Sequence, residues 1–131
     1  MNSATSSVVI MAGGTGGHIF PALAVANVLQ GRGHAVTWIG TRQGLEAKLV
    51  PEAGIPIEWI EVGGVRGKGI ATLLKSPFVL ARAMIQALRI LRRLQPVAAL
   101  GMGGFASGPG GIAARLSGCP LVLHEQNAVP G

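Results

Sequence analysis

The residues best equipped for chemistry in this chain lie in one stretch, Gly13-Gly14-Thr15-Gly16-Gly17-His18. Glycines let a backbone turn sharply and approach a ligand without a Cβ in the way. Where such a loop opens a helix, the first N–H groups have no intrahelical partner and point at whatever anion fills the loop. His18 stands at that helix entrance. The partial positive charge there disfavours imidazolium, and a neutral imidazole is suited to accept a proton from an attacking hydroxyl. A second glycine loop, Gly101-Met102-Gly103-Gly104-Phe105-Ala106-Ser107-Gly108-Pro109-Gly110-Gly111, repeats the arrangement further on. Two such loops at one sheet edge could together hold a diphosphate, although Gly108 to Gly111 would serve equally for close packing of helix on strand.

A third polar stretch is His124-Glu125-Gln126-Asn127. Glu125 is the carboxylate nearest the loops, competing with His18 as base or orienting a neighbour. The Asn127 amide can bond sugar hydroxyls and diphosphate alike. Two familiar phosphate sites are tested and fail. Counting from Gly14, the dinucleotide spacing gives Gly14, Gly16 and then Ile19 where a small residue is needed. The end of the second strand, Gly40-Thr41-Arg42, offers no acid for a ribose. Arg42 could meet a 2′-phosphate, so an NADP-binding oxidoreductase domain is an alternative; a non-catalytic lipid-phosphate binding module is another. No Gly-Lys-Ser/Thr follows the glycines, so a P-loop is excluded.

These loops need a scaffold, and the pattern specifies one. Val8-Val9-Ile10-Met11 is a β-branched run that reads as a buried strand. Leu23, Ala24, Val25, Val28 and Leu29 then fall at helical spacing, up to Gly31-Arg32-Gly33. Strand two spans residues 34–40 and helix two residues 42–53, with Leu45, Leu49 and Val50 on one side. Strand three is expected within 55–60. Ser76-Pro77 is a good helix start, and from there Leu80, Ala83, Met84, Ala87, Leu88, Leu91 and Leu94 form one apolar face. Arg82, Arg89 and Arg93 line the opposite face, with Phe78 and Ile85 beside them. Strand four is expected at 97–100, helix four at 105–117 and strand five at 120–123. Alternating strands and helices specify an α/β fold, an open parallel Rossmann-like sheet.

Composition agrees. In 131 residues, 49% are hydrophobic, 12% charged and 21 are glycine, which fits a buried parallel sheet with tight βα turns. The lone Cys119 excludes an internal disulfide and reads as a small buried hydrophobe. No basic residue precedes Arg32, so the start lacks the charged region of a signal peptide, and glycines, His18 and Pro21 interrupt any spanning run. The reading is a cytoplasmic, non-spanning chain. The net charge of +6 is unevenly placed: eight of the basic residues fall between Val62 and His124, where there is no carboxylate. That implies an anionic partner. Ile70, Leu73, Leu74, Lys75, Phe78 and Arg82 mix apolar bulk with positive charge, as a surface that dips into anionic lipid would. Nucleic acid is the poorer partner, because there is no Tyr and both Trp38 and Trp59 fall in strands.

The two glycine loops, Val65-Arg66-Gly67-Lys68-Gly69 and His124-Glu125-Gln126-Asn127 together carry a resemblance running from about Val8 to Gly131. The chain resembles the N-terminal domain of the MurG family, bacterial transferases that move N-acetylglucosamine from UDP-N-acetylglucosamine onto lipid I, making lipid II for peptidoglycan. The resemblance implies the first of two Rossmann-like domains of glycosyltransferase-B type, so that residues 1–131 form an acceptor-binding domain and a C-terminal donor-binding domain is absent. It implies an inverting, metal-independent enzyme with no cofactor, attached peripherally to the cytoplasmic face of the cell membrane. The isolated chain would then turn over poorly or not at all. His18 matches the general base for the muramyl 4-hydroxyl. Thr15, Gly16, Gly17 and Asn127 match donor-binding positions. Gly13, Gly14, Gly103, Gly104 and Phe105 match positions holding the diphosphate of the undecaprenyl-pyrophosphoryl acceptor. Phe105 stands where many members carry Tyr, which removes a hydroxyl and keeps a stacking face.

Overall fold

The computed structural model of the protein describes residues 6–14, 16–61, 77–104 and 107–124. Five strands, β1 (Ser7–Met11), β2 (Ala35–Gly40), β3 (Ile57–Trp59), β4 (Ala98–Gly101) and β5 (Leu121–Leu123), form one sheet in the order β3-β2-β1-β4-β5. Every pairing is parallel, with Met11 opposite both Ile39 and Gly101. The described helices are α1 (Gly16–Gly31), α2 (Glu46–Glu52), α3 (Pro77–Leu94) and α4 (Ser107–Leu116). This is the expected open α/β sheet.

Both faces of β1 are covered, which is why it reads as a continuous apolar run. Val9 and Met11 join a core with Ile39, Ala83, Ala87, Leu91 and Ala113 under α3 and α4. Ile10 and Ala12 join the other, with Ile19, Ala22, Ala26, Trp38 and Val50 under α1 and α2. Alternation along one strand thus feeds two layers. Trp38 is fully buried, and its indole Nε1 donates to the Ala12 carbonyl at 2.9 Å. That bond satisfies both the buried indole and the last carbonyl before the glycine loop.

Several sequence expectations need adjusting. In α1 the buried positions are Ile19, Ala22 and Ala26, while Val28 is exposed. Small alanines win the inner face because they let the helix lie close to the sheet. In the region of helix two, Leu45 is exposed and the buried positions are Glu46 and Val50. Phe78 and Ile85 are exposed on α3, as expected, but Ile90 belongs to its buried face. His34, just before β2, has a buried Nδ1 without a hydrogen-bond partner among the described residues. The basic stripe is partly neutralised: Arg82 pairs with Glu61 at 2.8 Å and Arg93 with Glu58 at 2.7 Å. The acids that precede the one-signed segment in sequence fold back onto its helix.

Cys119 lies just before β5, on the opposite edge from the glycine loops, with its Sγ 3.8 Å from the Pro96 carbonyl. Burial pushes its thiol up. The thiolate is the nucleophile, so less of it is present at a given pH. Alkylation by iodoacetamide should therefore reach half its limiting rate at a higher pH than for a cysteine in a short peptide. A coincident pH profile would contradict the burial.

A candidate site at the crossover of the sheet

In a parallel sheet the carboxyl ends of all strands share one edge. Ligands bind there at the switch point, where the strand order reverses. Here the reversal falls between β1 and β4, and those are the two strands followed by glycine loops. The loops are locked together. Met102 N–H donates to the Met11 carbonyl at 2.8 Å, and Gly13 N–H to the Gly103 carbonyl at 3.1 Å. Gly103 and Gly104 have φ of 110° and 86°, the left-handed region that favours glycine. A Cβ on Gly104 would strike the Gly13 carbonyl, and one on Gly103 would strike the His18 ring.

His18, in the first turn of α1, therefore lies with its imidazole against the second loop. Its Nδ1 is buried and has no hydrogen-bond partner among the described residues. The structure brings His18, Gly13, Gly14, Gly103 and Gly104 to one place, as the sequence reading expected. Gly16 and Gly17 open α1 beside them, and their N–H groups have by helix geometry no intrahelical partner. Thr15, Phe105, Glu125 and Asn127 lie outside the described residues, as do Ile70, Leu73, Leu74 and Lys75 of the basic surface. His124 is exposed just past β5, its N–H bonded to the Gly101 carbonyl at 2.8 Å.

One expectation is corrected. The amides of Gly13 and Gly14 do not point at an open anion site. Gly13 N–H is taken by Gly103, and Gly14 N–H donates to Glu46 Oε1 at 3.1 Å. The first loop is thus filled from inside by a carboxyl group. Nothing in the motifs of the sequence singles out Glu46. The signal that could have found it is its place four residues before Val50, on the face of helix two that must be buried. The Gly108–Gly111 stretch resolves toward packing: Pro109, Gly110 and Gly111 are buried in α4, and Gly110 lies against Met11 Sδ.

Arg42 is engaged as well, its guanidinium carbon 4.6 Å from the centroid of the Trp59 ring. Among the described residues no group of three His, Cys, Asp or Glu side chains could hold a metal ion. Nor, among them, is any helix long and apolar enough to cross a membrane.

By fold, then, this is a Rossmann-like domain whose glycine loops depart from the dinucleotide pattern. The sequence profile of the glycosyltransferase family 28 N-terminal domain matches residues 8–131, and the chain belongs to that family. It is 63% identical over 126 residues to the UDP-N-acetylglucosamine–N-acetylmuramyl-(pentapeptide) pyrophosphoryl-undecaprenol N-acetylglucosamine transferase of Azotobacter vinelandii, across 96% of this chain and 35% of that protein. The crystal structure of Acinetobacter baumannii MurG superposes with a TM-score of 0.84 at 48% identity, covering 96% of this chain and 37% of that one. The chain thus spans about a third of the length of its relatives. A likeness in fold alone extends to the C-terminal domain of PF1911 hydrogenase from Pyrococcus furiosus, with a TM-score of 0.66 at 14% identity over 94% of this chain and 96% of that one.

Proposed function

We propose that this chain is the acceptor-binding part of a transferase that moves N-acetylglucosamine from UDP-N-acetylglucosamine to the 4-hydroxyl of the N-acetylmuramyl group of lipid I. The observation that carries the reading is the His18 imidazole lying on Gly103 where the two glycine loops cross. The muramyl O4 attacks the anomeric carbon of the donor sugar, and its proton passes to Nε2 of His18. The bond between the anomeric carbon and the phosphate oxygen breaks, and UDP leaves with the electron pair. Inversion follows from a single displacement. With Gly13 and Gly14 bonded within the protein, the acceptor diphosphate would lie against Gly103, Gly104 and the first turn of α1, with Phe105 stacking nearby. Gly16, Gly17, Thr15 and Asn127 would face the donor, whose main pocket belongs to a second, C-terminal domain beyond residues 1–131. Glu125 would orient the acceptor.

The test is transfer of radiolabelled N-acetylglucosamine to a short-chain lipid I analogue by this chain joined to the rest of the A. vinelandii relative. Disaccharide product is expected; a well-folded chimaera that makes none would refute the reading.

The enzyme would work while attached to the cytoplasmic face of the membrane. The support is the basic segment and Phe78, which is 85% exposed at the start of α3. Each cation near an anionic bilayer adds about 1 kcal/mol. Arg82 is held by Glu61, so Phe78→Ala should weaken liposome sedimentation several-fold more than Arg82→Ala does. Binding that ignores anionic lipid and salt would count against this surface.

A further inference from the structure

We propose that Glu46 is the positioning residue of the His18 loop, its carboxyl group replacing from inside the protein the anion that the first glycine loop is shaped to receive. The inference rests on the proposed role of His18. Glu46 is 0% exposed at the first position of α2. Its Oε1 accepts Gly14 N–H at 3.1 Å; its Oε2 accepts Thr41 N–H at 2.8 Å and the Thr41 hydroxyl at 3.1 Å. Both oxygens thus face donors, and these partners are dipoles rather than a cation. A Cβ on Gly13 would come within 2.7 Å of Oε2, one on Gly40 within 2.6 Å of Cγ, and one on Gly44 would strike Oε1. Three glycines from two loops and a strand end leave room for one carboxyl group and little else.

The neighbouring residue completes the grip, because Leu45 N–H donates to the Gly14 carbonyl at 3.1 Å. The start of α2 therefore holds Gly14 by both its N–H and its C=O. Gly14 is separated from His18 by three residues, and its position sets where α1 begins and where the imidazole meets Gly103. An isolated buried carboxyl group is costly unless its hydrogen bonds are made, so this one cannot drift. A glutamine here would turn its NH2 toward an N–H donor in either flip, since each carboxyl oxygen has one.

The experiment compares Glu46→Gln, His18→Ala and the double variant in the chimaera, with each protein first shown to be folded at the assay temperature. Glu46→Gln should lower kcat roughly 10–100-fold, because about an ångström of misplacement suffices for that. KM for UDP-N-acetylglucosamine should stay within about threefold, and the double variant should be no slower than His18→Ala, as residues acting as a unit are not additive. Wild-type kcat in Glu46→Gln, or a double variant slower than His18→Ala by the full single-variant factor, would overturn the proposal. Should Glu46→Gln fail to fold, Glu46→Asp, which withdraws the same group by one methylene, enters the same cycle. A readout free of turnover is the proton–nitrogen spectrum of the 131-residue chain. Glu46→Gln should displace the Gly14 and Thr41 amide signals together with those of the His18 ring. Ring signals left in place would overturn the proposal even if the chimaera shows no transfer, a result that on its own counts against the proposed function and not against Glu46.

Discussion

His18→Ala in the chimaera should cut kcat by about 10²–10⁴-fold, the usual contribution of a positioned general base. KM for the lipid analogue should change little, since the imidazole acts on the proton as it leaves and contributes little to ground-state binding. The His18 ring packs against Gly103, so the variant is first shown to be folded at the assay temperature. A variant that keeps near-normal kcat would remove His18 from the mechanism and turn attention to Glu125.

The second large effect is on stability. Gly104→Ala would place a Cβ 2.6 Å from the Gly13 carbonyl carbon, on a residue whose φ is 86°. A non-glycine residue held there costs about 1–3 kcal/mol, and overpacking adds about 1–3 more. The atoms it would meet are all backbone and alanine has no rotamers, so no side-chain movement relieves the conflict. We expect about 3–5 kcal/mol of destabilisation, read as a melting temperature lower by roughly 10–20 °C in the 131-residue chain. Gly108→Ala is the control. Gly108 sits in the first turn of α4 with open space where its Cβ would be. Alanine there should be neutral or stabilise by up to about 1 kcal/mol, through helix propensity. Equal melting of the two variants would show that the loops are not interlocked as described.

Much of this protein was legible in the order of its residues. The apolar run through Val8–Met11, the glycines after it and the helical spacing beyond mark a strand, a turn and a helix, because those periodicities are local. Repetition of that unit specifies a parallel sheet, and His18 at a helix entrance is a candidate base wherever the strands fall. What stayed hidden depended on distance across the fold. Glu46 looks like a solvated acid beside Lys48 until β1 and β2 pair and carry Gly14 and Thr41 to its carboxyl group. Glu58 and Glu61 look like a separate acidic cluster until α3 packs and brings Arg93 and Arg82 to them. A residue's own type and spacing determine what it can offer. Which partner takes up the offer is decided by packing between segments far apart in the chain, and an N–H group bonded in that way is no longer free for a ligand.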